Sequence, residues 1–317
     1  MARKRSLPIT QRDKPAANPL ASGKKLGKSH KSTQSTISLF HTLLKRKAQA
    51  QKALSNACSS SQASVLQAQL SNIEKEIADQ GGLDTYQKAS TLGQSSERGG
   101  DSSVVLIEWL RELNEASTRE DDGGIRPLRM LEIGALSPNN FAAKQPYINN
   151  TPIDLNSQHP DILAQDFLQR PLPQDDNERF DIVSCSLVLN FVPEPRDRGG
   201  WDYASNVAQF TDFVLLGEML KLIHNQLHPS ERSLLFLVLP TACTENSRYM
   251  SSAHLETILS VVGFAQVRRR ARPGGKVIYT LWKWQRPNAN PQAVKSSSKR
   301  AELRSGAKRN NFVVLLK

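Results

Sequence analysis

Leu131-Glu132-Ile133-Gly134 closes an apolar stretch that starts at Leu128, and its reading decides the fold. A short run with this texture suits a buried strand, and the glycine allows the tight turn by which a backbone leaves such a strand close to a small ligand. Asp154 follows 20 residues later, at the end of Pro152-Ile153-Asp154. That is the spacing of a strand, a connection and a second strand, and a carboxylate there can accept hydrogen bonds from a ribose diol. Asp166 then follows Ile162-Leu163-Ala164 and precedes Phe167. At the end of a third strand, a carboxylate can accept from an adenine amine while the neighbouring aromatic packs on the ring.

Working outward, the pattern predicts strands at 128–133, 150–154, 162–165, 180–186 and 233–239, and a hairpin of 264–272 and 275–283 turned by Arg272-Pro273-Gly274-Gly275-Lys276. Phe180 to Cys185 and Leu234 to Leu239 are short apolar runs that suit strands buried on both faces. Amphipathic helices fit at 207–227 and 252–262. The predicted class is α/β: a Rossmann-like class I methyltransferase fold, with a mainly parallel sheet, a C-terminal antiparallel hairpin, N-terminal helices and disordered basic tails. Residues 1–34 read as a disordered basic tail, 35–114 as a helical extension, 115–286 as the domain and 287–317 as a second basic tail.

Within the extension, Leu66, Leu70, Ile73 and Ile77 form one helix face, stopped by Gly81-Gly82. It pairs as a hairpin with a helix carrying Ile37, Phe40, Leu43 and Leu44. A short helical stretch is expected at 83–94. Asp101-Ser102 can cap a helix bearing Val105, Leu106, Trp109, Leu110 and Leu113. Arg119 to Gly124 reads as a surface linker. Phe312 to Leu316 is an apolar run able to dock.

The usual glycine-rich run is missing, because Ala135-Leu136-Ser137 follows Gly134. The connection from Pro138 to Tyr147 is short and starts with proline, so no full crossover helix is expected. A pyrophosphate would call for that helix N-terminus and its glycines. S-adenosylmethionine has no phosphate, and the pattern leans towards it over NAD. In such folds the end of the fourth strand faces the reacting group. Ser184, Ser186, Asn190 and Phe191 are therefore candidate contacts, with Asn190 and Phe191 the catalytic candidates. Leu187 to Val192 equally suits plain core packing.

The charge is unevenly spread. Residues 1–52 carry thirteen Lys/Arg against one Asp, and 285–317 carry eight against one Glu. With +12 on all 317 residues, the body between them is acidic, at −7. Two basic ends favour a polyanion partner, since each cation near a phosphate releases a counterion. Arg3-Lys4-Arg5 with Lys24, Lys25, Lys28 and Lys31 suits a nuclear address. No apolar run reaches the length of a membrane span. Three scattered cysteines argue against a zinc site or a disulfide framework. No membrane, no metal and a monomer are expected.

Several strings go further. Gly81-Gly82-Leu83, Tyr86-Gln87-Lys88-Ala89-Ser90, Gly100-Asp101-Ser102-Ser103, Leu131-Glu132-Ile133-Gly134-Ala135-Leu136, Ile153-Asp154-Leu155-Asn156-Ser157, Gln165-Asp166-Phe167 and Asp181 to Pro193 resemble the fungal 25S rRNA adenine-N1 methyltransferase family over roughly residues 81–284. The resemblance implies a nucleolar enzyme that methylates one adenine of large-subunit rRNA, with the pre-ribosomal particle as partner. It implies that Gly134 and Asp154 bind S-adenosylmethionine, with Asp166, Phe167 and Ser186 as further contacts. The animal branch of the family is an S-adenosylmethionine sensor, so a non-catalytic regulatory role is the alternative.

Overall fold

The computed structural model describes residues 59–82, 100–113, 119–121, 124–190, 215–288 and 290–316, together with single positions between 36 and 88. Expectations for residues 1–34, for most of 83–94, for the start of the 207–227 helix and for Phe191 lie outside the described residues.

Seven strands form one sheet. In chain order they are β3 (Leu128–Ile133), β4 (Ile148–Asp154), β5 (Leu163–Ala164), β6 (Ile182–Ser186), β7 (Leu234–Pro240), β8 (Phe264–Ala271) and β9 (Val277–Trp284), preceded by a separate pair, β1 (Arg119–Asp121) and β2 (Gly124–Arg126). Their spatial order is β5-β4-β3-β6-β7-β9-β8. The first five are parallel, and the β8–β9 hairpin runs antiparallel beside β7. This is the expected Rossmann-like sheet with its closing hairpin. Gly274, at φ 69°, sits in the hairpin turn read from the sequence. Arg119–Asp121 and Gly124, from a run expected to be a surface linker, instead lie in the antiparallel β1–β2 pair.

Alternation along the strands divides the core into two layers. Leu128, Met130, Ile182, Leu234, Phe236 and Val238 face α2 (Ser103–Glu112), which contributes Leu106, Ile107, Trp109 and Leu110. Leu131, Ile133, Val183, Cys185, Leu235, Leu237 and Leu239 face the other way. They pack on Met219, Leu220 and Ile223 of α3 (Leu215–Gln226) and on Leu255, Ile258 and Leu259 of α5 (Ser252–Val262), with the short α4 (Ala242–Glu245) between β7 and α5. Both faces of β6 and β7 are therefore covered, as their apolar runs require.

The N-terminal helix α1 (Ser60–Asp79) carries the expected stripe: Ile73 is buried and Leu66, Leu70 and Ile77 are half-buried. Gly81 and Gly82, at φ 86° and 64°, end it. The described positions from Thr36 to Leu54 are helical, with Phe40 and Leu43 buried. Arg46 and Lys47 there pair with Glu76 and Glu74 of α1 at 2.8 and 2.9 Å, the contacts expected of a helical hairpin.

The C-terminal stretch is not the disordered tail that its lysines suggest. Asn288 bonds back to Ser260, α6 (Pro291–Ser297) packs on α5, and Phe312, Val313, Val314, Leu315 and Leu316 are all buried in the second core layer. Burying that pentad provides the driving force, at about 25 cal/mol per Å² of apolar surface. Arg304 fixes the segment by donating to the carbonyls of Thr244, Ser247 and Met250. Arg300 lies 3.9 Å over the Tyr249 ring. Part of the basic charge read as a free tail thus serves the fold.

Candidate functional site

The sheet changes direction between β3 and β6: β4 lies on one side of β3 and β6 on the other. Outside the carboxyl ends at such a switch point, α/β proteins bind their ligands. Gly134, Asp154, Asp166 and Ser186, chosen from the sequence, end or follow β3, β4, β5 and β6 in turn.

Gly134 has φ 77°, and its amide and that of Ala135 both donate to the Ile153 carbonyl, at 2.8 and 3.0 Å. A Cβ at this position would stand 2.2 Å from Cγ2 of Val188, so the glycine is required by both conformation and space. Residues 134–147 form turns and no helix. The missing crossover helix is thus a feature of the structure, and a helix N-terminus for a pyrophosphate is absent from this connection. That suits a nucleoside cofactor without phosphate.

Asp154 Oδ1 accepts from the Asn156 amide at 2.8 Å, which turns the chain after β4. A carboxylate offers about four acceptor directions, so this bond is compatible with ribose hydroxyls. Asp166 caps a 3-10 turn, accepting from the Leu168 amide at 2.9 Å and from the Gln169 side chain at 3.2 Å. Phe167 is 6 % exposed and belongs to the core, so its visible contribution is to anchor the Asp166 turn. Ser184 is buried inside β6, whereas Ser186 is half-buried at its end. Asn190 closes the described part of this loop, and its Oδ1 is buried without a hydrogen-bond partner among the described residues.

Sequence reasoning missed several residues. Leu187 adopts φ 57°, a left-handed conformation that costs a non-glycine residue on the order of 1–3 kcal/mol. This turn brings Val188 against Gly134. Glu132, read only as part of the motif, accepts from Nδ2 of Asn140 at 2.7 Å on each oxygen and from Nδ2 of Asn150 at 2.8 Å. Burial pushes its carboxyl up to about 7; the Asn150 and Asn140 amides pull the other way, and the nearby Asp101 carboxylate adds to the rise. Asp101, read only as a helix cap, takes the Ser103 amide on Oδ1 at 2.9 Å and the Phe141 amide on Oδ2 at 2.5 Å. Ser102 meets Ser186, oxygen to oxygen, at 2.9 Å. A cap pattern in sequence signals the first of these bonds and none of the others.

Cys185, beside Ser186, is fully buried, and burial pushes its thiol up to about 12, which rules it out as a thiolate nucleophile at neutral pH. The arginines of β8 face acids: Arg270 makes a two-pronged contact with Glu108 at 2.8 Å, Arg269 pairs with Glu245 at 3.4 Å and Arg268 with Glu112 at 3.8 Å.

Residues 71–314 match the family described as 25S rRNA (adenine(2142)-N(1))-methyltransferase, Bmt2. The chain belongs to this family. It is 34% identical over 284 residues to the 25S rRNA (adenine(2142)-N(1))-methyltransferase of Saccharomyces cerevisiae, covering 89% of this chain and 72% of that one. It is 34% identical over 250 residues to the 25S rRNA adenine-N(1) methyltransferase of Schizosaccharomyces pombe, covering 77% and 80% respectively. Among solved structures, a 16S rRNA (adenine(1408)-N(1))-methyltransferase from Catenulisporales acidiphilia aligns at 10% identity and a TM-score of 0.29, covering 51% of this chain and 87% of that one. That likeness is too slight to add weight. In this family member the family match takes in α2, the whole sheet and most of the docked C-terminal segment.

Proposed function

We propose that the protein transfers the methyl group of S-adenosylmethionine to N1 of an adenine in 25S rRNA. One observation carries the reading: a chain matching a family of rRNA adenine-N1 methyltransferases over 71–314 sets Gly134, Asp154, Asp166 and Ser186 at the carboxyl ends of neighbouring parallel strands. Both named relatives are methyltransferases, which favours catalysis over a sensing role.

When bound, S-adenosylmethionine supplies an electrophilic methyl on a sulfonium. Gly134 would let the cofactor approach the backbone, Asp154 would accept from the ribose, and Asp166 would accept from the adenine amine. The mouth is rich in acids, with Asp101, Glu132, Asp154 and Asp166, which suits a cationic ligand. Adenine N1 carries a lone pair, so no base has to deprotonate it first. Alignment alone is worth about 7–11 kcal/mol where the reacting atoms are well placed. The target base must be unpaired or flipped, because N1 lies on its Watson–Crick edge. The desolvated Oδ1 of Asn190 can accept from the 6-amino group beside N1, and Phe191 can stack on the ring for about 1–3 kcal/mol. The thirteen Lys/Arg of residues 1–52 support a hold on RNA and a nucleolar site of action on pre-ribosomal particles.

Deleting the gene and mapping reverse-transcription stops on 25S rRNA tests this directly, since an N1-methyl blocks pairing. The stop disappears on deletion, returns with the parent gene and stays absent with Asp154→Ala. A stop of full strength in the deletion strain overturns the proposal.

A further inference from the structure

We propose that Gly100–Ser103, which lies upstream of the sheet, is a working part of the cofactor site, with Asp101 as its positioning residue. This rests on the reading of the Gly134–Asp154 edge as the place where S-adenosylmethionine binds.

Without a crossover helix, the connection 134–147 has only short-range turn bonds of its own, yet it leaves the strand at the cofactor turn. Three consecutive residues of it are also held from outside. Asn140 is gripped through its side chain by Glu132 of β3. The Phe141 amide donates to Asp101, and the Ala142 amide donates to Ser103 Oγ at 3.0 Å. A further bond joins Ser102 to Ser186 at the end of β6. The segment therefore touches the loop that leaves β3 and the end of β6, on the two sides of the switch point.

Asp101 is central because its two oxygens do different work. One fixes the start of α2 through the Ser103 amide, and the other carries that position across to the loop at Phe141. The far side of α2 is tied down by the Arg270–Glu108 pair and by Arg270 lying 5.4 Å over the Trp109 ring. Helix α2 is thus a brace: one side is fixed to strand β8, and its first turn sets the cofactor loop. In a class whose glycine-rich loop is degenerate, a rigid brace replaces what the missing helix would have supplied, by restricting the loop to its binding conformation.

The test is calorimetric titration of the full chain with S-adenosylmethionine, well below its unfolding temperature, for the parent, Asp101→Ala, Asp101→Asn and Ser102→Ala. The thermal midpoint of each is measured alongside. Asp101→Ala raises Kd at least tenfold. Asp101→Asn keeps one acceptor and raises it less, and Ser102→Ala raises it about threefold. In methylation of 25S rRNA from a deletion strain, the defect falls on KM for the cofactor, with kcat at saturation within threefold of the parent. A purely structural role lowers the midpoint and leaves Kd within twofold, and that result overturns the proposal. If Asp101→Ala does not fold, Asp101→Asn and Ser102→Ala decide on the same criterion. A parent that binds no S-adenosylmethionine instead overturns the cofactor reading itself, which separates the two failures.

Discussion

The two ends of the parallel strands hold their acids in opposite ways. At the amino ends, Asp181 is 0 % exposed and lies against the Arg126 guanidinium at 2.7 and 3.3 Å, with the Arg129 amide at 2.8 Å. Its charge is cancelled inside the protein. At the carboxyl ends, Glu132 has only the neutral amides of Asn140 and Asn150 as hydrogen-bond partners among the described residues, and a second acid, Asp101, stands nearby. A buried carboxylate without a cation is costly, and the price shows as the rise of its carboxyl to about 7. One end of the sheet is built for stability. The other leaves negative potential available to a ligand that brings the missing positive charge.

The largest effect expected from this contrast is at Asp181. Removing one partner of a buried ion pair strands the other, so Asp181→Ala lowers unfolding free energy by about 3–5 kcal/mol in denaturant titration. A loss below about 1 kcal/mol would break the comparison at that end. Next comes Gly134→Ala, which forces an alanine to φ 77° against Val188. A cost of about 1–3 kcal/mol follows, together with loss of cofactor binding, and the two are read by denaturation and calorimetry.

Glu132 sharpens the contrast through pH. Its folded pKa is raised, from the ordinary 4.5 to about 7, so ionisation is harder in the folded state than in the unfolded chain. Its contribution is therefore neutral below about pH 4.5, destabilises progressively between about 4.5 and 7, and stays constant above. Thermal midpoints of Glu132→Gln should lack that decline. A cationic cofactor favours the carboxylate, so its affinity rises with pH up to about 7 and binding releases a proton, seen by calorimetry in buffers of different ionisation enthalpy. Equal proton release by Glu132→Gln would remove Glu132 from the account. The smallest effect belongs to Arg270→Ala. Its ion pair is half-exposed and contributes about 0.2–1 kcal/mol, and affinity for rRNA should change less than twofold if its work is bracing α2.

The sheet was legible because burial dictates its residues. Runs such as Leu234 to Leu239 have few alternatives once both faces must be covered, and the glycine, the acids and their spacing mark where the strands end. What stayed hidden depends on contacts between distant segments. Asp101 and Ser102 look like an ordinary helix start, and only folding brings them within reach of Phe141 and Ser186. The docking of Phe312 to Leu316 was visible in its apolarity, while the lysines and arginines around it argued for a solvated tail. Arg304 resolves that conflict by spending its charge on three backbone carbonyls, a use that composition does not reveal. Arg268, Arg269 and Arg270 show the same limit: their basic run gives no sign in sequence of the facing glutamates of α2 and of Glu245 that pair with them.

The central claim is that the Gly134–Asp154 edge binds a methyl donor and delivers its methyl to adenine N1. It is tested most directly by incubating purified protein with methyl-labelled S-adenosylmethionine and 25S rRNA from a strain lacking the gene, then digesting the RNA to nucleosides. Labelled 1-methyladenosine is expected with the parent protein and none with Asp154→Ala. Label in another nucleoside, equal label with Asp154→Ala, or none with the parent would contradict it.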